Sequence, residues 1–348
     1  MDVVEALSCR MAFCGLPAGE VQRIVRGTEC GRTWLRACLH SARGLRRLAH
    51  SSEAEGRFGA ARDAWLWTAA AYQAASFCVH FEPGAAAVRQ VVRARRLARA
   101  AYAHAMAVDG SVGVPVEIPC GSRVVRGYLR RPPAARRDVP MVVLLNGLDS
   151  ICEVEMHAFG TWLLSRGCAA LALDLPADAS SPSRAPMFDV ERAADAIAAF
   201  GGRIEGVRRD ARGAFGVSFG GYLAARLLSG NGAFRSSVAV SPPAWIDRRE
   251  VPPRIRTMLH WTFDATDDAR LEAVTAQLHI ASLPRPRGRL LLFQMDHDQL
   301  FDERHARAIA EWGGPAVELR RVAAEHVGTS SFHQWLPFAC DWLQSELA

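Results

Sequence analysis

Hydrophobic positions along the chain follow two periods, and the change between them falls near Gly110. Before it, apolar residues recur at helical spacing in Trp34-Leu35-Ala37-Cys38, Ala64-Trp65-Trp67-Ala70-Tyr72 and Leu97-Ala98-Ala101-Tyr102. Gly56, Gly59, Pro83 and Gly84 punctuate these helices. The block from Gly59 to Cys78 is rich in alanine and aromatic residues, which predicts packing on more than one side. After Gly110, Val114–Ile118 and Arg123–Leu129 read as two strands joined at Cys120-Gly121. The run Pro140–Asn146 is continuously apolar, the mark of a strand covered on both faces. Helix and strand patterns then alternate: helix Glu155–Ser165, strand Cys168–Asp174, helix Val190–Phe200, strand Gly213–Val217, helix Gly220–Leu228 and strand Ser236–Val240. Strand Leu290–Gln294, helix Asp302–Trp312, strand Ala316–Val322 and helix Ser331–Leu347 complete the series. This alternation predicts an α/β fold with a doubly wound, mostly parallel sheet. The chain divides into a helical cap region, residues 1–112, and a sheet domain, residues 113–348. One insertion, about 241–287, interrupts the alternation with Pro242-Pro243, Trp245, Pro252-Pro253 and the helical stretch Ile255–Phe263. Inside a compact domain a segment of that length reads as a lid.

Composition narrows the setting. No apolar run approaches the ~20 residues needed to span a bilayer, so no membrane partner is expected. The start, MDVVEALSCRM, carries an acid at Asp2 and no basic stretch before an apolar block. This reads as a protein without a secretory signal. The nine cysteines are odd in number and include no C-x-x-C pair, which argues against a disulfide framework and a structural zinc site. Free thiols in a cytoplasmic protein are the expectation. All 42 basic residues are arginine and the net charge is +6. Short clusters such as Arg93–Arg96 and Arg130-Arg131 read as solvated faces, because no nucleic-acid-binding motif accompanies them.

Candidate chemistry centres on Gly216-Val217-Ser218-Phe219-Gly220, a G-x-S-x-G placed after a predicted strand and before a predicted helix. A serine on such a sharp turn needs small residues two positions away on either side. The turn raises Oγ above the sheet edge, and the Phe219 N–H at the helix start can stabilise an oxyanion. A hydroxyl nucleophile also needs a base. His326 follows the last strand and precedes the last helix; His333 competes but lies within that helix. The supporting acid should follow strand Leu290–Gln294, where Asp296 and Asp298 compete. Asp298, followed by Gln299-Leu300-Phe301, is preferred by analogy with the acid of this fold, and Asp296 is the alternative. The second oxyanion donor is assigned to Leu148 N–H in Asn146-Gly147-Leu148-Asp149-Ser150. No cofactor or metal is implied.

These residues resemble one branch of the α/β hydrolases, the fermentation-respiration-switch-protein-like esterases. That branch includes 2,6-dihydroxypseudooxynicotine hydrolase and the fungal pigment polyketide-shortening hydrolases. The motifs carrying the resemblance are Asn146–Glu153, Arg166-Gly167, Gly216–Tyr222, Asp298, His326 and Asp341-Trp342-Leu343, in family order from about Gly59 to the C-terminus. The resemblance implies that residues 113–348 are an α/β-hydrolase catalytic domain and that Glu153 stands near the substrate and assists cleavage. The residue-level alternative for Glu153 is an ordinary first-turn glutamate. Two departures stand out. Cys152 replaces the family lysine, and Ala177-Asp178-Ala179 replaces a glycine-containing turn. Cys152 reads as a small buried residue, not as a second nucleophile.

The function expected from this pattern is hydrolysis of a carbonyl substrate through an acyl-enzyme. The bond is an ester, a thioester or the C–C bond of a β-diketone. An aromatic or polyketide-type secondary metabolite, free or carrier-bound, is the expected small-molecule substrate. An aromatic chamber of Trp65, Trp67, Tyr72, Trp245 and Trp261 would receive it. The alternatives are acyl transfer or cyclisation by the same residues, or a non-catalytic binding protein on this scaffold. The resemblance is also compatible with a homodimer.

Overall fold

The computed structural model describes residues 3–31, 33–120, 123–133, 138–175, 190–230 and 232–348. Five helices come first: α1 (Val3–Phe13), α2 (Ala18–Glu29), α3 (Trp34–Ala54), α4 (Phe58–Ser76) and α5 (Ala85–Val108). A 3-10 turn, Phe77–His80, follows α4. The alanines of α4 are buried from Ala61 to Ala75, and their small size lets α3 and α5 approach on either side. Trp34 anchors this packing, its indole N–H donating to the Ala74 carbonyl at 2.7 Å. The expected break at Gly59 falls earlier. Gly56 (φ +70°) makes the turn and Gly59 lies in the first turn of α4. Backbone N–H groups there have no helical acceptor, so a glycine costs little.

Among the described residues, eight strands form one sheet: β1 (Val114–Cys120), β2 (Arg123–Arg130), β3 (Val139–Leu145), β4 (Ala169–Leu173), β5 (Val207–Val217), β6 (Ser236–Val240), β7 (Arg289–His297) and β8 (Val317–Glu325). Their order is β1-β2-β4-β3-β5-β6-β7-β8. The β1–β2 and β2–β4 pairings are antiparallel and every later one is parallel. Strands β4 and β6 are buried along their whole length, as a sheet covered on both faces requires. One face packs against α6 (His157–Leu164) and α12 (Phe332–Leu347) through Phe159, Leu163, Trp335 and Leu343. The other packs against α7 (Val190–Gly201), α8 (Phe219–Leu228) and α11 (Glu303–Gly313) through Ile197, Leu223, Leu227 and Ile309. The expected doubly wound α/β architecture is therefore present.

The insertion carries α9 (Pro253–Thr262) and α10 (Asp268–Thr275). Helix α9 joins two cores: Met258 packs with the N-terminal helices, while Ile255 and Leu259 pack with the sheet's α8 side. The N-terminal helices also share their core with Ile151 and Val154, just after β3. Two strands run beyond their expected ends. β7 reaches His297 and β8 reaches Glu325, so Asp296 is a strand residue and His326 leaves the sheet at once. No described helix is long and apolar enough to cross a membrane. No disulfide joins any of the nine cysteines, all of which lie among the described residues. The Cys120-Gly121 turn lies partly outside the described residues, and Ala177-Asp178-Ala179 wholly so.

Candidate active site

The site begins where β5 ends. Ser218 stands between β5 and α8 with φ +52° and ψ −124°, a conformation a side chain rarely tolerates. It is held there from both sides: Ser218 N–H donates to Val240 O (2.8 Å), and Gly221 N–H donates to Ser218 O (2.8 Å). The flanking glycines are sterically compulsory. A Cβ on Gly216 would lie 2.0 Å from the Gly220 carbonyl oxygen, and one on Gly220 would lie 2.2 Å from Leu145 O.

His326 Nε2 lies 3.0 Å from Ser218 Oγ, and His326 Nδ1 lies 2.8 Å from Asp298 Oδ2. A carboxylate can only accept, so the ring proton sits on Nδ1 and Nε2 is left to accept from the serine hydroxyl. The Asp298 side chain is buried, and its other oxygen accepts from Leu300 N–H (2.8 Å) and Phe301 N–H (3.0 Å). Burial alone would raise this carboxyl, but His326 and the two amides outweigh it and hold it below its usual range. Asp296 points elsewhere, pairing with Arg321 of β8 at 2.8 Å. His333 lies in α12, so the histidine brought to Ser218 is His326. The turn carrying His326 is itself strained. Val327 has φ +68° and is pinned by donation to Ser241 Oγ (3.0 Å), and Ser241 also has positive φ.

The loop after β3 arrives opposite. A Cβ on Gly147 would lie 3.4 Å from Ser218 Cβ, so the two backbones nearly touch. The loop is tied internally: Gly147 N–H donates to Ser150 Oγ (3.1 Å), and Asn146 Nδ2 donates to Gly147 O (3.0 Å). The amides of Leu148 and Phe219 have no hydrogen-bond partner among the described residues. Both residues line the same cavity as Ser218 and His326.

That cavity encloses about 430 Å³. Its walls bring α1 together with the insertion: Leu7 and Phe13 face Ile255 and Leu259, with Phe159 and Phe301 completing an apolar lining. A charged cluster closes one part of the wall. Arg10 of α1 pairs with Asp149 (2.9 Å) and Glu155 (2.6 Å), and His80 Nε2 lies 3.1 Å from Asp149. Gln73 donates to Asp149 O (2.9 Å) and Glu155 Oε1 (3.0 Å). Burial opposes the charge on Arg10, yet Asp149 and Glu155 more than compensate and raise its pKa. Asp149 in turn is held well below the carboxylate range, burial being outweighed by Arg10 and His80. The cluster ties the Leu148 loop directly to the N-terminal helices.

The model of the FrsA-like esterases matches residues 41–242, more than half of the chain. The chain belongs to this family of α/β hydrolases. Hydrolyase poxO of Penicillium oxalicum is 24% identical over 225 residues, 62% of this chain. The match spans 52% of that curated relative's length. Among solved structures, 2,6-dihydroxy-pseudo-oxynicotine hydrolase superposes with a TM-score of 0.83 at 17% identity, covering 98% of this chain and 95% of that one. AbyA5 has a TM-score of 0.61 at 17% identity, covering 87% and 88%. The Pyrococcus furiosus esterase Pf2001 has a TM-score of 0.52 at 22% identity, covering 68% and 93%. At these identities the superpositions show the fold, with the five-helix region included in the first.

In this member of the FrsA-like family, two expected placements are corrected. Glu153 does not line the cavity. The chain enters α6 through a π-helical turn, Cys152–Met156, whose extra residue per turn rotates Glu153 away. There its carboxylate meets Arg99 Nε (3.3 Å) and accepts from Tyr128 OH (3.3 Å), and Glu155 takes the cavity position. The aromatic lining is also different. Trp65 stacks on His104 within the helices, Trp245 stacks on His279 and packs at a tilt against His305, and Trp261 lies near Arg95, while phenylalanines form the cavity wall. The Cys152 thiol is buried and, chiefly for that reason, pushed well above its ordinary pKa, so it stays protonated. Arg10, His80 and Glu155 were not singled out from the sequence. Arg10 carried a signal: Val3, Leu7 and Arg10 share one helical stripe, so an arginine interrupts the apolar face of α1.

Proposed function

We propose that this protein is a serine-dependent acyl hydrolase in which Ser218, His326 and Asp298 act as one unit. The observation that carries this reading is the Ser218–His326–Asp298 chain at 3.0 and 2.8 Å, opening on the 430 Å³ cavity. Ser218 Oγ attacks the substrate carbonyl carbon while His326 Nε2 takes the hydroxyl proton. The oxyanion is met by the Phe219 and Leu148 amides, whose residues line the cavity beside Ser218 and which have no hydrogen-bond partner among the described residues. Asp298 keeps the imidazole in the required tautomer and stabilises the imidazolium. Collapse expels the leaving group, which receives the proton from His326. Water then enters, gives its proton to the same nitrogen, and releases the acid and Ser218. An alcohol, a thiol or a stabilised enolate can leave by this sequence, so ester, thioester and β-diketone substrates share it.

The phenylalanine-rich lining supports an aromatic or polyketide-type substrate. So does the likeness to a hydrolase of 2,6-dihydroxy-pseudo-oxynicotine. The test is labelling by a fluorophosphonate that reacts only with an activated serine. The wild type is expected to label and Ser218→Ala is not. Equal absence of labelling in both proteins, with no Ser218-dependent hydrolysis of activated esters, would reject the proposal in favour of a binding role. Hydrolysis in 18O water should place label in the acid product; an unlabelled product would assign acyl transfer.

A further inference from the structure

The carboxylates and guanidiniums of the cavity wall are satisfied with one exception. Arg10 is held by Asp149 and Glu155, and Glu325 accepts from Thr329 (2.6 Å) and Ser330 (2.6 Å). Arg254, on the insertion helix α9, also lines the cavity. It has no ion pair or hydrogen bond among the described residues, and its Nε is buried without a partner.

Its position makes this more pointed. Arg254 follows Pro253 in the first turn of α9, which carries no acidic residue. A helix N-terminus presents partial positive charge, so a cation there is repelled where an acid would be favoured. Around it the insertion contributes only apolar wall: Ile246, Val251, Ile255 and Leu259. The half-buried guanidinium therefore combines a dry, unpartnered Nε with an unfavourable helix position. An anion arriving in the cavity would relieve both conditions. The planar fork of a guanidinium matches the two oxygens of a carboxylate.

We infer that Arg254 is a substrate-binding residue that selects molecules carrying a carboxylate in addition to the scissile carbonyl. This rests on the hydrolase reading above and adds a substrate class to it. The substrate spans the cavity with its carbonyl at Ser218 and its carboxylate under α9. The locked Arg10 cluster does not compete for that carboxylate, because its cation is already shared by two acids.

The experiment compares mono-4-nitrophenyl esters of succinate, glutarate, adipate and pimelate with neutral 4-nitrophenyl esters of equal chain length. For at least one length, Arg254→Gln should lower kcat/KM on the acidic ester about 10- to 100-fold, the range expected for a charged hydrogen bond. The change should lie chiefly in KM, the neutral ester should be nearly unaffected, and Arg254→Lys should recover part of the loss. An unchanged preference between acidic and neutral esters at every length would overturn the inference. Equal losses on both ester classes in Arg254→Gln and Arg254→Lys would also overturn it. Binding of the corresponding non-cleavable mono-anilides, followed by calorimetry, separates this inference from the catalytic one. Arg254-dependent preference for the acidic anilides without any ester hydrolysis would leave the inference standing and reject the hydrolase reading. No such preference in binding would reject the inference whatever the activity.

Discussion

Replacing Arg10 by methionine tests whether the N-terminal helix is locked to the site by charge. Methionine keeps an apolar stem against Phe77, over whose ring the guanidinium now sits at 4.3 Å. It removes the cation that Asp149 and Glu155 share. The side chains of Arg10, Glu155 and Asp149 are 14%, 5% and 24% exposed, so two carboxylates would be left in a nearly dry wall. Removing one partner of a buried pair costs about 3–5 kcal/mol, and the partial exposure of Asp149 places the expectation near 3 kcal/mol at pH 7. The pH dependence gives the signature. In the wild type Asp149 is held well below its usual range, burial being outweighed by Arg10 and His80. Its ionised form therefore stabilises the fold above the unfolded-state value of about 3.9, and that contribution is lost only as pH falls through the lower folded value. Without Arg10 the burial effect is opposed by less, and the folded pKa rises. The variant then gains stability as pH falls toward it, so its deficit should shrink by about 1 kcal/mol or more between pH 7 and pH 5. Urea unfolding followed by tryptophan fluorescence at pH 7, 6 and 5 measures this. A deficit below about 1 kcal/mol at pH 7, or one that is the same at all three pH values, would refute the reasoning.

Asp298→Asn should lower kcat about 10⁴-fold while leaving the melting temperature nearly unchanged. The amide oxygen can still accept from Leu300 and Phe301, but the amide nitrogen forces the wrong histidine tautomer, and steady-state kinetics beside a thermal melt reads both. Gly216→Ala should cost about 3 kcal/mol or more, because its methyl would meet the Gly220 carbonyl at 2.0 Å with no flexible side chain to yield; normal folding and serine labelling would contradict this. Glu153→Gln should leave kcat/KM within about 3-fold of wild type, since Glu153 does not line the cavity. The same change should lower stability by about 1–3 kcal/mol through the lost charge opposite Arg99; a selective collapse of kcat would return Glu153 to the reaction.

Much of the sheet was legible because its signals are local. Strands β3 and β4 are short apolar runs, the usual pattern of a strand buried on both faces. The elbow was legible for the same reason. Only glycine avoids the close backbone contacts at Gly216 and Gly220, so the steric demand is recorded directly in residue type. The order of serine, acid and histidine followed from the order of strands. The choice between Asp296 and Asp298 needed more. It turns on β7 continuing to His297, which aims Asp296 at Arg321 and leaves Asp298 in the turn beneath His326.

The chain's own pattern determined the fold class and singled out Ser218 and His326, because periodicity, a compulsory glycine pair and a strand-ending histidine are properties of neighbours in sequence. Tertiary structure decided what surrounds them. It set the N-terminal α1 over the site, turned Glu153 away through one π-helical turn, and gave the cavity to Glu155, to phenylalanines and to Arg254. Those placements depend on contacts between residues as far apart as Arg10 and Glu155, 145 positions along the chain. Long-range packing and the desolvation of charge govern them, and neither leaves a period or a spacing to be read.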